Sequence, residues 1–184
     1  MAIRRGVEPR HPSIKGPTMP RPNPHTDRAQ ALGQELIEVH NWLRTELSRL
    51  TTELDAYITG KTSRPANLRA HCTAFCQALT NHHTSEDNTA FAELGRQFPE
   101  LTPVLTELRE DHVLVANIIR KLNTLLTTLT PNNAPTVQHE LSGLAAILES
   151  HFRWEERRIV EALNTLATPH PAESLFGLSN TKKS

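Results

Sequence analysis

Leucine and its aliphatic relatives recur every three or four residues through most of this chain, and glycine or proline interrupts the recurrence at only a few places. Leu32, Leu36, Val39, Leu43, Leu47, Leu50 and Leu54 fall on one stripe of a helix turning about 100° per residue. The spacing predicts a helix over 27–58, ended by Gly60, and a second from Pro65 to about residue 96 using Leu68, Phe75, Leu79 and Phe91, broken by Pro99. Thr102 and Pro103 open a third that continues through Leu129 to Pro131. A fourth starts near Pro135 and runs through Leu144, Leu148, Phe152, Ile159 and Leu163 to about residue 167, before Pro169. Aromatics are scarce and glycines number only seven, which argues against a sandwich or barrel. Four long helices with short connections make consecutive helices antiparallel, so the expected fold is all-α, an up-down-up-down antiparallel four-helix bundle over 27–167.

The flanks read differently. Residues 1–26 carry Pro9, Pro12, Pro17, Pro20, Pro22 and Pro24 among Arg4, Arg5, Arg10, Lys15 and Arg21. With so few apolar groups to offset the entropy of ordering, they read as a disordered basic tail. Residues 168–184 read as a flexible C-terminal tail. Charge balances at 20 basic and 20 acidic residues, so no overall field draws the chain to nucleic acid or anionic lipid. Cys72 and Cys76 lie four apart on one helix, a spacing that suits core thiols better than a disulfide. No stretch approaches the ~20 apolar residues of a membrane helix and the N-terminus lacks a signal peptide's apolar run, so the expected compartment is the cytoplasm.

The chemistry concentrates in two His-x-x-x-Glu motifs, His82 with Glu86 and His151 with Glu155. Positions i and i+4 of a helix lie about 40° apart and roughly 6 Å along its axis, so each pair points into the same space. Phe75, Ala78 and Leu79 lead up to His82, and Leu144, Ile147 and Leu148 to His151, which puts both pairs on buried faces. The halves of the chain also form a degenerate repeat. Leu36 to His40 superposes on Leu108 to His112, and Leu79 to Glu86 on Leu148 to Glu155. Each half therefore brings a lone histidine, His40 or His112, and one His-x-x-x-Glu motif to a pseudo-two-fold axis. Imidazole is a good iron ligand, and a carboxylate can bridge two metals roughly 3.5 to 4 Å apart. Two buried carboxylates face to face need a cation or a raised pKa. Without metal, the same residues would be core histidines satisfied by the two glutamates.

The pattern of His40, then His82-His83-Thr84-Ser85-Glu86, then Asp111-His112, then His151-Phe152-Arg153-Trp154-Glu155 resembles the hemerythrin-like, or HHE cation-binding, proteins of actinobacterial type, over residues 30–166. The resemblance implies a centre of two non-haem iron ions with an oxo or hydroxo bridge, which meets dioxygen, peroxide or nitric oxide. Its metal ligands would be His40, His82, Glu86, His112, His151 and Glu155. Oxygen-carrying members have a further histidine four residues after the first on the third helix, where this chain has Ala116. Two imidazoles per iron would leave a position open on both metals. That symmetry favours an enzyme, turning over peroxide in a catalase-like way or oxidising a small-molecule substrate with oxygen. The alternative is a non-catalytic module that binds or senses oxygen, nitric oxide or iron.

Other residues near the motifs carry weaker expectations. His83 is about 100° round the helix from His82, which places it at a helix boundary or in solvent and outside the ligand set. Arg44 and Arg158 would steady a bridging carboxylate or an anionic oxygen ligand, or else pack their stems while their heads reach water. Trp154 and Trp42 would line the pocket or serve in helix packing. His71 reads as a polar end to the bundle core. His11, His25, His139 and His170 read as surface residues.

Overall fold

The computed structural model describes residues 24–63 and 65–178, with side chains from residue 31 onward. Most of the basic leader and the last six residues lie outside the described residues. The elements are α1 (Pro24–Ile58), α2 (Pro65–Ser85), a π-helical turn (Glu86–Ala90), α3 (Phe91–Gln97), a 3-10 turn (Pro99–Leu101), α4 (Thr102–Thr127), α5 (Ala134–Leu163) and α6 (Ala172–Phe176). No strand occurs among the described residues. α2, the π turn and α3 together make one continuous arm, so the bundle has four arms, as the apolar period predicts. α1 packs mainly on α5, α4 also on α5, and α2 on both α1 and α4.

Leucines of the four arms supply the core. Leu36, Leu43, Leu50, Leu79, Leu108, Leu122 and Leu144 are fully buried. The core divides in two along the bundle axis. One cluster contains Leu43, Leu50, Phe75, Leu79, Val115 and Leu148; the other contains Leu32, Leu36, Phe91, Leu94, Leu105 and Ile159. Each arm passes from one cluster to the other, α1 and α4 in one direction, the α2 arm and α5 in the other. At each crossing stands a buried polar residue: His40 on α1, His82, His83 and Glu86 on the α2 arm, His112 on α4, and His151 with Glu155 on α5.

The π turn departs from the straight helix that the sequence predicts over 65–96, and it has a visible consequence. In an uninterrupted α-helix Phe91 would lie about 120° round from Leu79, off the inner face. The Phe91 amide instead donates to Glu86 O, five residues back. The widened turn advances less per residue, and it swings Phe91 and Leu94 back to the core, where they are 1% and 0% exposed.

The expected flexible tail over 168–184 also needs correction for its described part. Residues 172–176 form α6, and Leu175 and Phe176 are buried. The short helix lies against α2 and the π turn, covering the second core cluster. Gly177 makes this docking feasible. It caps α6 with φ of +67°, and a Cβ there would overlap the carbonyl oxygen of Asn81 on α2. That close approach brings Phe176 O to 3.0 Å from His82 Nδ1. Among the described residues no helix is long and apolar enough to cross a membrane.

Gly177→Ala combines an unfavourable φ with a backbone overlap, so it is expected to cost about 1 to 3 kcal/mol. Urea unfolding followed by circular dichroism measures the loss. A midpoint equal to that of the wild type would show that α6 does not depend on this glycine.

Candidate metal centre

Angles measured from the apolar stripe explain which side chains enter the polar layer. With Leu79 as zero, His82 lies about 60° to one side, Glu86 about 20° to that side and His83 about 40° to the other. With Leu148 as zero, His151, Glu155 and Phe152 occupy the same three directions. Relative to Leu36 and Leu108, His40 and His112 each stand about 40° off centre. All of these positions fall within the buried arc.

The six residues expected from sequence come together. Glu86 Oε1 is 3.3 Å from His82 Nε2, and its Oε2 is 3.7 Å from His112 Nε2. Glu155 Oε2 is 3.3 Å from His40 Nε2 and 3.5 Å from His151 Nε2. His112 Nε2 and His151 Nε2 are 3.2 Å apart. Each carboxylate thus touches one imidazole from each half of the site, the disposition a bridging ligand needs. The donors form two groups, His40 with His82, Glu86 and Glu155, and His83 with His112 and His151.

His83 corrects the sequence reading. It is 5% exposed, and its ring stacks on that of His112 with centres 3.9 Å apart and planes at 7°. The expectation of a boundary position measures its angle from His82, whereas the stripe centred on Leu79 includes both. Ala116, where a further histidine would stand in oxygen carriers, is exposed, being about 80° from Leu108. The third imidazole of that group comes from α2 instead of α4.

Outside the layer, the Nδ1 atoms are tied down. His40 Nδ1 is 2.9 Å from Glu156, His82 Nδ1 3.0 Å from Phe176 O, His112 Nδ1 2.9 Å from Asp87 and His151 Nδ1 3.3 Å from Asp111. Donation from Nδ1–H to these oxygens fixes the tautomer and leaves the Nε2 lone pair inward, the form that binds a metal. Sequence reasoning misses Asp87, Glu156 and Phe176 in this role. A signal exists for two of them: Asp87 and Glu156 directly follow the two motif glutamates, and each reaches the lone histidine of the other half.

Arg44 acts at one remove, as its Nη1 donates to Glu156 at 3.0 Å while its Nε donates to Glu149 at 2.8 Å. Arg158 and Trp154 lie outside. Both are exposed, with the guanidinium carbon 5.0 Å from the indole, because these positions sit about 80° and 120° from Leu148. Trp42 is half-buried against the first core cluster. His71 is held between Glu46 and Glu53 at 2.9 and 3.0 Å, clamping α2 to α1 away from the layer. Cys72 and Cys76 are free and buried.

The electrostatics show what this layer lacks. Burial pushes Glu86 well above the usual carboxylate range, and the charges of Glu155 and Asp87 add to the effect. Burial acts on Glu155 in the same direction, yet His40, His151 and His82 hold it down to about 2. Burial also lowers His82, to about 3, and lowers His83 and His151. His40 is raised, because Glu155 and Glu156 outweigh its burial. Without a cation, burial favours the neutral form of Glu86 while the neighbouring imidazoles favour the anion of Glu155. Even so, His40 Nε2, His82 Nε2, His83 Nε2 and all four glutamate side-chain oxygens have no hydrogen-bond partner. Buried polar atoms are rarely left so. Nitrogen and oxygen donors that converge in a buried layer without hydrogen-bond partners fit divalent or trivalent cations.

A four-helix bundle with such a layer of imidazoles and carboxylates across its core defines a class of helical metal-binding proteins. This chain belongs to the hemerythrin HHE cation-binding domain family, which it matches over residues 32–163, a span that holds every donor named above. No curated protein and no solved structure matches it. Metal binding, typically of iron, follows from that membership and agrees with the donor groups.

Metal-free protein should bear the cost of Glu86 directly. A carboxyl whose folded pKa is raised destabilises the fold as pH rises from its unfolded value, about 4.3, toward the folded one, by about 1.4 kcal/mol per unit. Glu86→Gln is therefore expected to raise the urea midpoint of chelator-treated protein near pH 7. The gain should vanish at about pH 4, where the wild-type carboxyl is protonated in both states. An equal effect at both pH values would overturn this assignment.

Proposed function

We propose that the chain holds two iron ions between its two donor groups, joined by an oxo or hydroxo bridge, and binds a small ligand such as dioxygen, nitric oxide or peroxide on the His40 side. The observation that carries this reading is the set of buried, unpartnered Nε2 and carboxylate oxygen atoms in one layer. Bound iron would supply a redox-active Lewis acid for such ligands.

The chain's own residues do the rest. Glu86 and Glu155 each offer oxygens to both donor groups and supply negative charge against the cations. The anchored Nδ1 atoms hold the imidazoles in the ligating tautomer, so little reorganisation accompanies loading. Leu36, Leu79, Leu108 and Leu148, at most 1% exposed, wall the layer from water on both sides. Fully dry walls strengthen each electrostatic contact within.

The donor count is unequal. His83, His112 and His151 serve one group, whereas only His40 and His82 serve the other alongside the shared carboxylates. The matching position on α5 is Phe152, which offers no donor. The sequence expectation of peroxide turnover rests on two equally open metals, and the buried His83 beside His112 speaks against that equality. An unequal pair favours the alternative, a module whose donor-poor side takes up a ligand.

Iron loading and metal counting test the site. Wild type should hold two irons per chain, and His83→Ala should weaken retention of iron against a chelator by about 10- to 100-fold or more. Ala116→His should change nothing, since that side chain points to solvent. Loss of iron from neither variant would remove His83 from the site. Titration with peroxide separates the two activities: a spectral change without oxygen release supports binding, and sustained oxygen release assigns the chain to turnover.

A further inference from the structure

A groove of about 220 Å³ runs between α1 and α5, with Leu47, Ala145 and Leu148 along it and Ser48 and Thr51 at its rim. Phe152, Arg44 and Glu149 complete its lining. The Phe152 ring lies flat on His40, with centres 4.1 Å apart and planes at 18°, and stands 6.5 Å from the ring of His82. Arg44 covers the other face of the site's edge, its guanidinium carbon 5.2 Å from the Phe152 ring. One side chain therefore separates the groove from the donor-poor group of His40, His82, Glu86 and Glu155.

A similar stack stands on the far side, built from positions that the repeat does not relate to these. There Arg109 lies 5.4 Å over Phe91, whose ring faces His112 at 5.5 Å and 18°. Phe91 is locked in the second core cluster with Leu105, Leu108 and Phe176. Phe152, equally buried at 1% in the first core cluster, also lines the groove, and its neighbour Arg44 is held by carboxylates that are themselves part-exposed, Glu149 at 40% and Glu156 at 22%. The ring that lines the groove is thus the one over a histidine of the group with two imidazoles.

We propose that the α1/α5 groove is the route by which a small uncharged ligand, diatomic in size, reaches the His40 side of the centre, with Phe152 as its inner door and the Arg44–Glu149 pair as the latch. The proposal rests on the iron reading above. The groove walls are apolar apart from the rim hydroxyls and the latch, which suits a weakly hydrated gas and does not suit a charged oxidant. Opening would turn the Phe152 ring into the groove that it lines as the Arg44 guanidinium swings toward solvent. Phe152 and Arg44 act here by controlling access, and neither supplies a ligand atom.

Nitric oxide mixed with the ferrous protein in a stopped-flow spectrometer tests the route, since association is read from the absorption change and iron is counted separately. Phe152→Leu, which shortens the door, should speed association by about tenfold, and Ser48→Trp, which fills the groove from its exposed rim, should slow it by a similar factor. Phe91→Leu, on the opposite side, should leave the rate unchanged. All four proteins should hold the same iron. Equal rates in Phe152→Leu, Ser48→Trp and wild type, at full iron content, overturn the route while leaving the metal centre intact. Faster association in Phe91→Leu alone places access on the other side and also overturns it. Absence of iron from the wild type removes the centre and the route together.

Discussion

Two fully buried carboxylates without hydrogen bonds, Glu86 and Glu155, sit where an all-leucine bundle would carry two more apolar side chains. A buried, unpaired carboxylate costs several kcal/mol, and its mutual repulsion with a second one adds to that. Much of the surrounding architecture answers this cost. Imidazoles from all four arms crowd toward the two groups, and their outer nitrogens are fastened so that the inner ones cannot turn away. The layer is consequently unsatisfied by protein alone and well matched to cations, which ties metal binding to the stability of the fold.

The repeat that generates the layer extends beyond the donors. Asp87 from the first half holds His112 of the second, and Glu156 from the second holds His40 of the first. This reciprocal fastening couples the halves, because each half's lone histidine is oriented by the other half's motif. Within the buried layer the symmetry fails at His83 and Phe152, which occupy equivalent directions and stack on equivalent histidines. A single imidazole-for-phenyl difference leaves one donor group with three imidazoles and the other with two.

The helical arms and the two motifs are legible in the sequence because they follow from a local period and from proline and glycine punctuation. His83 is legible too, once its direction is measured from the Leu68–Cys72–Phe75–Leu79 stripe; measured from His82 it falls outside. Other features have no local signature. Glu86–Ala90 contains neither glycine nor proline, so its π turn arises from the demand that Phe91 and Leu94 reach the core after Glu86 has reached the metal layer. α6 is five residues long and could not persist alone; it exists through contacts with α2 that Gly177 permits. Asp87 and Glu156 stand at the edge of their helix faces, about 80° from the stripe centre, where the neighbouring arm decides what a side chain meets.

The two imidazoles of the His40 group are held by different kinds of force. His82 is fastened to the carbonyl of Phe176, a backbone group on a docked helix that cannot rotate away. His40 is fastened to Glu156, which shares its oxygen with Arg44, which in turn shares itself with Glu149 near the surface. Part-exposed ion pairs of this kind contribute little net stability and rearrange with salt and solvent, whereas the buried backbone contact does neither. Freedom to move is therefore concentrated at His40, beneath the Phe152 ring and beside the groove, while His82 of the same group is fixed. In the other group His112 and His151 are held by part-exposed carboxylates, Asp87 at 33% and Asp111 at 43%. Of the four anchored imidazoles His82 alone is thus held by buried backbone, and α6, docked through Gly177, supplies that anchor.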